Sequence, residues 1–440
     1  MNWIDAVGRM MRADPVAMQY AWSDRHLAYD LWDAYYANTV YGRVASGGQR
    51  EYINADLGNA SAADLAGLYN PVAAVVDLYL HVFAGAFGKE ITVDAAPPLA
   101  AAIDQIWQWS NLTIEKQPLC RLAAMHGTVG LRIVAHDHAD KAKRRVYIKP
   151  EHPKIIRDAE LDDRGNVTAI QLEYDRTSGL ADNASTTRIR ETITKTEVRL
   201  ETVTHGIATP REAYPNALGI VPYVLLRHEH IGETWGRNAF YKVREPLDRL
   251  NALMSHVDVQ IHRHVRAKWL LAAAGAAPQE FDFGDLSLVY VDTRNSTGTP
   301  MAQPLIANLD LTGAIAQTRL QLESIEDNLP ELKATQGSFL SGQSGETIAE
   351  LRRPAEEKLG LARANYEDAL VRAQQIAVSW GILLGLWDVG TGTGDQAAAD
   401  RAYHGGYEDH AFNVRPLLHA PPQPVKQAVE TVPTEKIATP

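Results

Sequence analysis

Residues 344–387 read SGETIAELRRPAEEKLGLARANYEDALVRAQQIAVSWGILLGLW. Apolar side chains recur in this stretch every three or four residues, which places them on one face of a helix. They are Ile348, Leu351, Ala355, Leu359, Ala362, Tyr366, Leu370, Ala373, Ala377, Trp380, Leu384 and Trp387. Ser344 is a good N-cap, and Glu346 suits the positive end of the helix dipole. Pro354 removes one backbone donor inside the pattern, so we predict a long helix that is kinked at this proline.

Two further amphipathic helices precede this one, each with a stripe of period 3.6. The first stripe consists of Val243, Leu247, Leu250, Met254, Val257, Ile261, Val265 and Trp269, and the second of Leu311, Ile315, Thr318, Leu322, Ile325 and Leu329. Between the two stripes lies a compact insert at about 272–308, with a predicted strand from Leu286 to Val291 and mostly acidic charges. A polar, Gly/Ser-rich loop at about 331–344 separates the second helix from the long one.

The first half of the chain changes character at Gly127. Before it, the sequence predicts an aromatic-rich helical region over 1–45, a helix over about 70–83, and one helix over 97–126 that stops at Gly127. After it, alternating apolar residues and turn signals such as Asp162–Asn166 predict an antiparallel β region over about 131–228. The overall fold class is therefore α+β. Order is expected to fall away after Trp387, where glycine and then proline become frequent.

Composition excludes several classes of protein. Hydrophobic residues make up 45% and charged residues 22%, as in an ordinary folded chain. No apolar stretch reaches membrane-spanning length, and no secretory signal is expected at the N-terminus. The one cysteine, Cys120, excludes an intrachain disulfide and a cysteine zinc site, and its apolar neighbours predict a buried thiol. The net charge of −11 argues against tight nucleic-acid binding, although it is compatible with a surface along which DNA slides.

The motifs that suggest chemistry are weak. His136-Asp137-His138 offers two alternate imidazoles in a polar turn without a third ligand. Gly390 to Asp395 reads GTGTGD but lacks the Lys-Ser/Thr of a phosphate loop. The chain has no nucleophile elbow and no helical His-Glu-x-x-His pair. We therefore predict no enzyme activity, no catalytic residue, no cofactor and no metal.

The order of these elements resembles the portal proteins of tailed bacteriophages, and three stretches carry the resemblance. The first is the helix ending at Gly127, the strands that lead to Ile148-Lys149-Pro150 and Ile155 to Asp158, and the strand that ends at Glu173-Tyr174. The second is Leu247 to Ser255, and the third is Leu329-Pro330, the loop and Ser344 to Ala349. The resemblance covers about residues 65–388. Glu346 replaces a residue that is usually hydrophobic in the family, and no C-terminal crown helices are evident after residue 390.

The resemblance implies a division of the chain into the parts of a portal subunit. These are a wing (1–235), a first stem helix (236–271), a clip (272–308), a second stem helix (309–330), a tunnel loop (331–344), a kinked spine helix (345–388) and a short or disordered C-terminal crown region (389–440). Such subunits assemble into rings, typically of twelve copies, at one vertex of the capsid. The ring is a channel for packaging and ejecting DNA, and the virion is assembled in the host cytoplasm.

The resemblance also assigns candidate site residues. The tunnel loop would face DNA through Lys333, Thr335, Gln336, Ser338, Ser341 and Gln343. The stem would present Asp258, His262, Arg266, Glu323 and Asp327. The clip would dock the motor through Glu280, Asp282, Asp285 and Asp292. The implied partners are further copies of this chain, the terminase large subunit, the major capsid and scaffolding proteins, a head-completion or tail-adaptor protein, and double-stranded DNA passing non-specifically, with no membrane.

Two other functions remain open at this point. The chain could be a different virion or connector component without a DNA channel, or a nucleic-acid hydrolase that uses its histidine and carboxylate clusters. The paired helices could also be an ordinary amphipathic pair in a globular core, and the tunnel loop a plain linker. The basic cluster around His256, His262 and His264 could face DNA, a partner or solvent.

Overall fold

The computed structural model describes residues 22–39, 43–44, 50–51, 69–86, 93–178, 185–265, 268–273, 288–292, 301–305, 311–335, 345–404 and 410–412. The helices are α1 (Trp22–Tyr36), α2 (Val72–Ala86), α3 (Pro97–Trp109), α4 (Leu112–His126), α5 (Arg244–Val265), α6 (Thr312–Asn328), α7 (Pro330–Thr335), α8 (Gly345–Leu383) and α9 (Gln396–Tyr403). The first strands are β1 (Arg43–Val44), β2 (Arg50–Glu51), β3 (Val93–Ala95), β4 (Thr128–His136), β5 (Arg145–Glu151), β6 (Ile156–Leu161), β7 (Val167–Ser178) and β8 (Ser185–Thr194). The others are β9 (Glu197–Thr204), β10 (Ile207–Pro215), β11 (Tyr223–Arg227), β12 (Lys268–Ala273), β13 (Leu288–Asp292), β14 (Met301–Leu305) and β15 (His410–Phe412).

Helix α8 is the central element of the fold. Its apolar face enters the main core through Leu359, Tyr366 and Ala377, which are all fully buried, and it packs on β4, β5 and β11. The long helix predicted from the periodicity is confirmed, and it continues through Pro354. It ends at Leu383 and not near Trp387, because Gly385 turns the chain with φ +70° and the Trp387 ring folds back over Gly381.

The predicted β region is confirmed, and it consists of two antiparallel sheets. One has the strand order β11-β4-β5 and packs on the helices, and the other has the order β10-β9-β8-β7-β6 and a core cluster of its own. The turn at Asp162 is confirmed as well, because its carboxylate accepts hydrogen bonds from the backbone of Arg164 and Asn166. Strand β10 was not predicted from the sequence. It contains two prolines, and its exposed residues do not alternate between apolar and polar.

The single helix predicted over 97–126 is wrong in one respect, because the chain breaks between α3 and α4. Asn111 lies in the left-handed region with φ +50°, which ends one helix and begins the next. The Ser110 hydroxyl donates to the Ile106 carbonyl and accepts the Ile148 amide, so the break is stabilised by β5. The predicted end at Gly127 is confirmed, with φ +80°.

The first stem helix is shorter than the predicted span of 236–271. It runs as α5 from Arg244 to Val265, after a 3₁₀ turn at Tyr241–Val243. Trp269 belongs to strand β12, which pairs in parallel with β13 and antiparallel with β14. The spacing of the apolar residues at 269–271 fits the helical stripe, but in the structure these residues form a strand that pairs with β13 and β14 of the insert. The strand predicted inside the insert is confirmed as β13.

The predicted loss of order after Trp387 is wrong for residues 388–404 and 410–412, and residues 405–409 and 413–440 lie outside the described residues. Helix α9 begins at Asp395, whose carboxylate accepts the Ala398 amide, and packs on α8 with Ala398 and Ala399 buried. Strand β15 pairs with β3. Cys120 is fully buried, as predicted from its neighbours, and burial raises the pKa of its thiol. Among the described helices, none combines the length and the hydropathy needed to cross a bilayer.

Candidate functional site

Helices α5 and α6 pack against each other, and the first turns of α5 are anchored to the rest of the protein. Leu247 and Leu250 are fully buried in the main core. The Asn251 side chain bonds both the amide and the carbonyl of Tyr69, at 2.9 and 2.8 Å. The Asp248 carboxylate accepts the Tyr35 hydroxyl at 2.6 Å. The base of the helix pair is therefore a fixed part of the fold.

Farther from this base, several apolar side chains of the two helices are exposed. On α6 only Ile325 is buried, whereas Ile315 and Leu320 are 48% and 59% exposed, and Ile261 on α5 is also exposed. Leu361, on the outer face of α8, is 73% exposed. Ile261 and Ile315 thus continue the apolar stripes of α5 and α6 beyond the core of one chain, and Leu320 and Leu361 are exposed apolar residues outside the stripes.

Helix α7 corrects the predicted tunnel loop. The loop was predicted to begin at residue 331, but residues 330–335 form a helix with Pro330 in its first turn. Glu331 is completely buried, and its carboxylate accepts the Tyr79 hydroxyl at 2.8 Å and lies 2.6 Å from the Lys358 ammonium. Lys358 also donates to the Ala239 carbonyl at 3.2 Å. The start of the loop segment is therefore tied to α8 by an ion pair and to α2 by a hydrogen bond.

A second buried polar group, His228, lies beside this pair. Its ring packs edge-on against Tyr79, and its Nδ1 lies 3.0 Å from the Tyr366 hydroxyl. Burial, and to a smaller extent the nearby Lys358 ammonium, lower the pKa of His228 to about 3. Burial, and then the Glu331 charge, raise the pKa of Tyr79 well above its ordinary value. The centre of the protein thus holds a neutral imidazole next to one ion pair.

The stability of the protein should fall in mild acid because of His228. An unfolded histidine titrates near pH 6.5, so between that pH and about 3 the unfolded chain binds a proton at His228 that the folded chain does not. At pH 5 this group alone should lower the free energy of unfolding by about 2 kcal/mol relative to pH 7. Urea unfolding of the wild type and of His228→Gln at both pH values measures the difference.

The matched control for this titration is His136→Gln, which removes an exposed imidazole. The pH dependence should shrink in His228→Gln and stay unchanged in His136→Gln. Equal pH dependence in the wild type and His228→Gln would mean that His228 is protonated in the folded protein.

The structure describes only part of the predicted site. Lys333 and Asp327 form an exposed ion pair at 2.6 Å next to α7, and Glu323 is exposed on α6. Asp258 and His262 belong to α5, Asp292 to β13 and Thr335 to α7. The remaining predicted residues lie outside the described residues: Arg266, Glu280, Asp282, Asp285, Gln336, Ser338, Ser341 and Gln343.

The glycine-rich turn that superficially resembles a phosphate loop is already occupied by a side chain. The Asp388 carboxylate accepts the amides of Gly390 and Gly392 at 2.9 and 3.1 Å. These are the donors that a phosphate would need, and they are already satisfied within the turn. The two histidines of His136-Asp137-His138 have ring centroids 6.4 Å apart, and Asp137 pairs with Arg144.

Comparisons with known proteins find similarity to solved structures alone. No protein-family model matches this chain, and no curated protein does. A chain in the structure of the virion of a native gene transfer agent particle aligns with 78% of this chain and 85% of its own length, at a TM-score of 0.37 and 11% identity. At this level the similarity carries no argument about function.

Proposed function

We propose that this chain is a structural subunit of a phage-like virion, and specifically the portal subunit that forms a DNA channel at one capsid vertex. The observation that carries the proposal is the order of elements from α5 to α8. Two packed helices flank a small inserted sheet (β12–β14), and a long helix follows after α7. This is the stem–clip–stem–spine order that the sequence motifs suggested.

The exposed apolar residues of the helices support self-association. Ile315, Leu320 and Leu361 each expose about half or more of their side chains. Single exposed apolar residues are ordinary, but these lie on the elements that a ring would pack side by side. In a ring, the α6 and α8 faces of one subunit would be covered by its neighbours, because helix stripes are stable only when they are buried.

The charge of the chain supports a passive conduit. The net charge is −11, and Glu323 and Asp327 on α6 are exposed carboxylates. A wall of this kind repels phosphates and lets a duplex slide, whereas tight binding requires many Lys and Arg contacts. The motor that drives packaging, the capsid and scaffolding proteins and the tail adaptor are proposed as separate partners. The clip at 272–308 is the proposed docking site for the motor.

Oligomeric state tests this proposal directly. Native mass spectrometry and negative-stain imaging of the full chain should reveal closed rings of about twelve subunits with a central hole. A stable monomer, or a monomer that hydrolyses DNA when divalent metal is added, would overturn it. A closed assembly without a hole would instead favour another virion component.

Charged substitutions on α6 should prevent assembly of the proposed ring. In the double variant Ile315→Asp/Leu320→Asp, two carboxylates would have to be buried at each subunit contact without partners, which is strongly unfavourable. Both sites are exposed in the single chain, so the fold should tolerate the change. Sedimentation velocity should show subunits or small oligomers, with an unchanged circular dichroism spectrum.

The matched control for the ring variant is Ile207→Asp. Ile207 is 71% exposed on β10, away from the helices. This control should form rings as the wild type does. If the α6 double variant also forms complete rings, α6 is not part of the subunit contact.

A further inference from the structure

Three residues from distant parts of the chain converge near the start of the described fold. Asp33 lies on α1, His126 is the last residue of α4, and His152 directly follows β5. Their nearest ligand-type atoms all lie within 4.8 Å of one another. The Nε2 of His126 is 3.2 Å from the Oδ1 of Asp33, and the two imidazole centroids are 4.6 Å apart.

His126 is the buried member of this cluster. Its side chain has no exposed surface, and neither ring nitrogen has a hydrogen-bond partner of good geometry. Its ring lies edge-on to Tyr29 at 5.2 Å, which orients the imidazole. Buried polar groups are normally satisfied, so an imidazole that is oriented by its packing but lacks a good hydrogen bond requires an explanation.

The ammonium of Lys154 holds one oxygen of the Asp33 carboxylate, and the other oxygen can bind a further ligand. Lys154 lies 2.8 Å from the Oδ2 of Asp33 and 2.7 Å from Asp30, while Oδ1 faces His126. Carboxylates that bind metals are commonly held in this way by a second-shell donor. Asp33 is 39% exposed in its side chain, so an ion can reach the cluster from solvent.

The surroundings of Asp33 and His152 shift the pKa values of both groups. Burial raises the pKa of Asp33, but its contacts with His126 and Lys154 outweigh this effect and the pKa falls to about 2. Burial, and then the neighbouring His126, lower the pKa of His152 to about 4. The cluster offers one carboxylate and two imidazoles as possible ligands.

We propose that Asp33, His126 and His152 bind one borderline-soft divalent transition-metal ion, such as Zn²⁺, which fixes α1 to α4 and β5. Two imidazoles and a carboxylate form a common zinc ligand set, and water would take the fourth position. Bond lengths of about 2.0–2.1 Å place tetrahedral ligand atoms about 3.3 Å apart, so the widest pair has to close by about 1.5 Å. The Nδ1 of His152 accepts the Lys154 amide at 3.1 Å, and coordination gives up this one hydrogen bond.

The test uses the full-length protein after removal of metal with a chelator. Titration with Co²⁺ should give the visible absorption of a tetrahedral site at one ion per chain, and titration calorimetry with Zn²⁺ should give the same stoichiometry. Zn²⁺ should also raise the melting temperature. His152→Gln should weaken binding by at least about 100-fold, the upper end of the loss caused by mutating a supporting group.

Two further variants separate a metal site from a simple hydrogen-bonded clamp. His136→Gln removes an exposed histidine elsewhere and should bind Zn²⁺ as the wild type does. Lys154→Met removes the donor that holds Asp33, so it should weaken Zn²⁺ binding by about 10–100-fold in a metal site. The proposal is overturned if the wild type shows no stoichiometric Co²⁺ or Zn²⁺ binding, if His152→Gln binds equally well, or if Lys154→Met lowers stability without weakening binding.

Discussion

Replacing Lys358 by methionine should lower the free energy of unfolding by about 3 kcal/mol. The change leaves the carboxylate of Glu331 completely buried without the cation that lies 2.6 Å from it. Removing one partner of a buried pair costs about 3–5 kcal/mol. The lower end applies because Lys358 is one-third exposed and solvent screens part of its charge. Urea unfolding at pH 7 measures the loss.

The chain offers a matched control on the same helix. Arg353 pairs with Glu357 on the exposed face of α8, with both side chains 68% exposed. Arg353→Met should therefore change the free energy of unfolding by less than about 1 kcal/mol. A double variant, Lys358→Met/Glu331→Gln, should recover much of the loss because no buried charge then remains. If Lys358→Met is as mild as the control, Glu331 is neutral in the folded protein.

This ion pair also bears on the proposed channel. Glu331 lies in α7, directly before the segment proposed as the tunnel loop, and its partners Lys358 and Tyr79 lie on α8 and α2. In a ring, a loop that contacts moving DNA has to be anchored at its base. Lys358→Met is therefore expected to weaken DNA retention in assembled particles before it prevents ring formation.

The elements that pattern analysis predicted well are those in which local sequence and burial agree. Helix α8 keeps one apolar face over its whole length, and Leu359, Tyr366 and Ala377 are buried as the stripe requires. Gly127 was placed correctly because only glycine adopts φ +80° without a penalty at the end of a helix. The turn at Asp162 was predicted because its carboxylate bonds the backbone within four residues.

The errors occur where contacts with residues far away in the sequence determine the local structure. Trp269 suits a helix stripe and a strand equally well, and pairing with β13 and β14 selects the strand. Glu331 reads as a loop residue because its partners, Tyr79 and Lys358, lie far away in sequence. In the same way the grouping of Asp33, His126 and His152 has no local spacing that a motif could detect. The adjacent pair His136 and His138, which has such a spacing, is not part of the cluster.

Replacing Gly127 by alanine should be as damaging as any single substitution in the fold, at about 2–5 kcal/mol. The residue has φ +80°, and an added Cβ would lie 2.4 Å from the Gly236 carbonyl oxygen and 2.6 Å from the Arg237 carbonyl carbon. Both obstacles are backbone atoms, so a side-chain rotation cannot relieve them. Left-handed strain costs about 1–3 kcal/mol and overpacking a similar amount.

Two other glycines separate these contributions. Gly206 has φ +82° with nothing near an added Cβ, so Gly206→Ala should show only the strain, about 1 kcal/mol. Gly360 lies inside α8 with open space around it, so Gly360→Ala should stabilise the protein by about 0.5–1 kcal/mol. Equal losses for Gly127→Ala and Gly206→Ala would show that the backbone contact with Gly236 relaxes freely. A larger loss at Gly127 would show that the contact between the end of α4 and the segment leading into α5 is rigid.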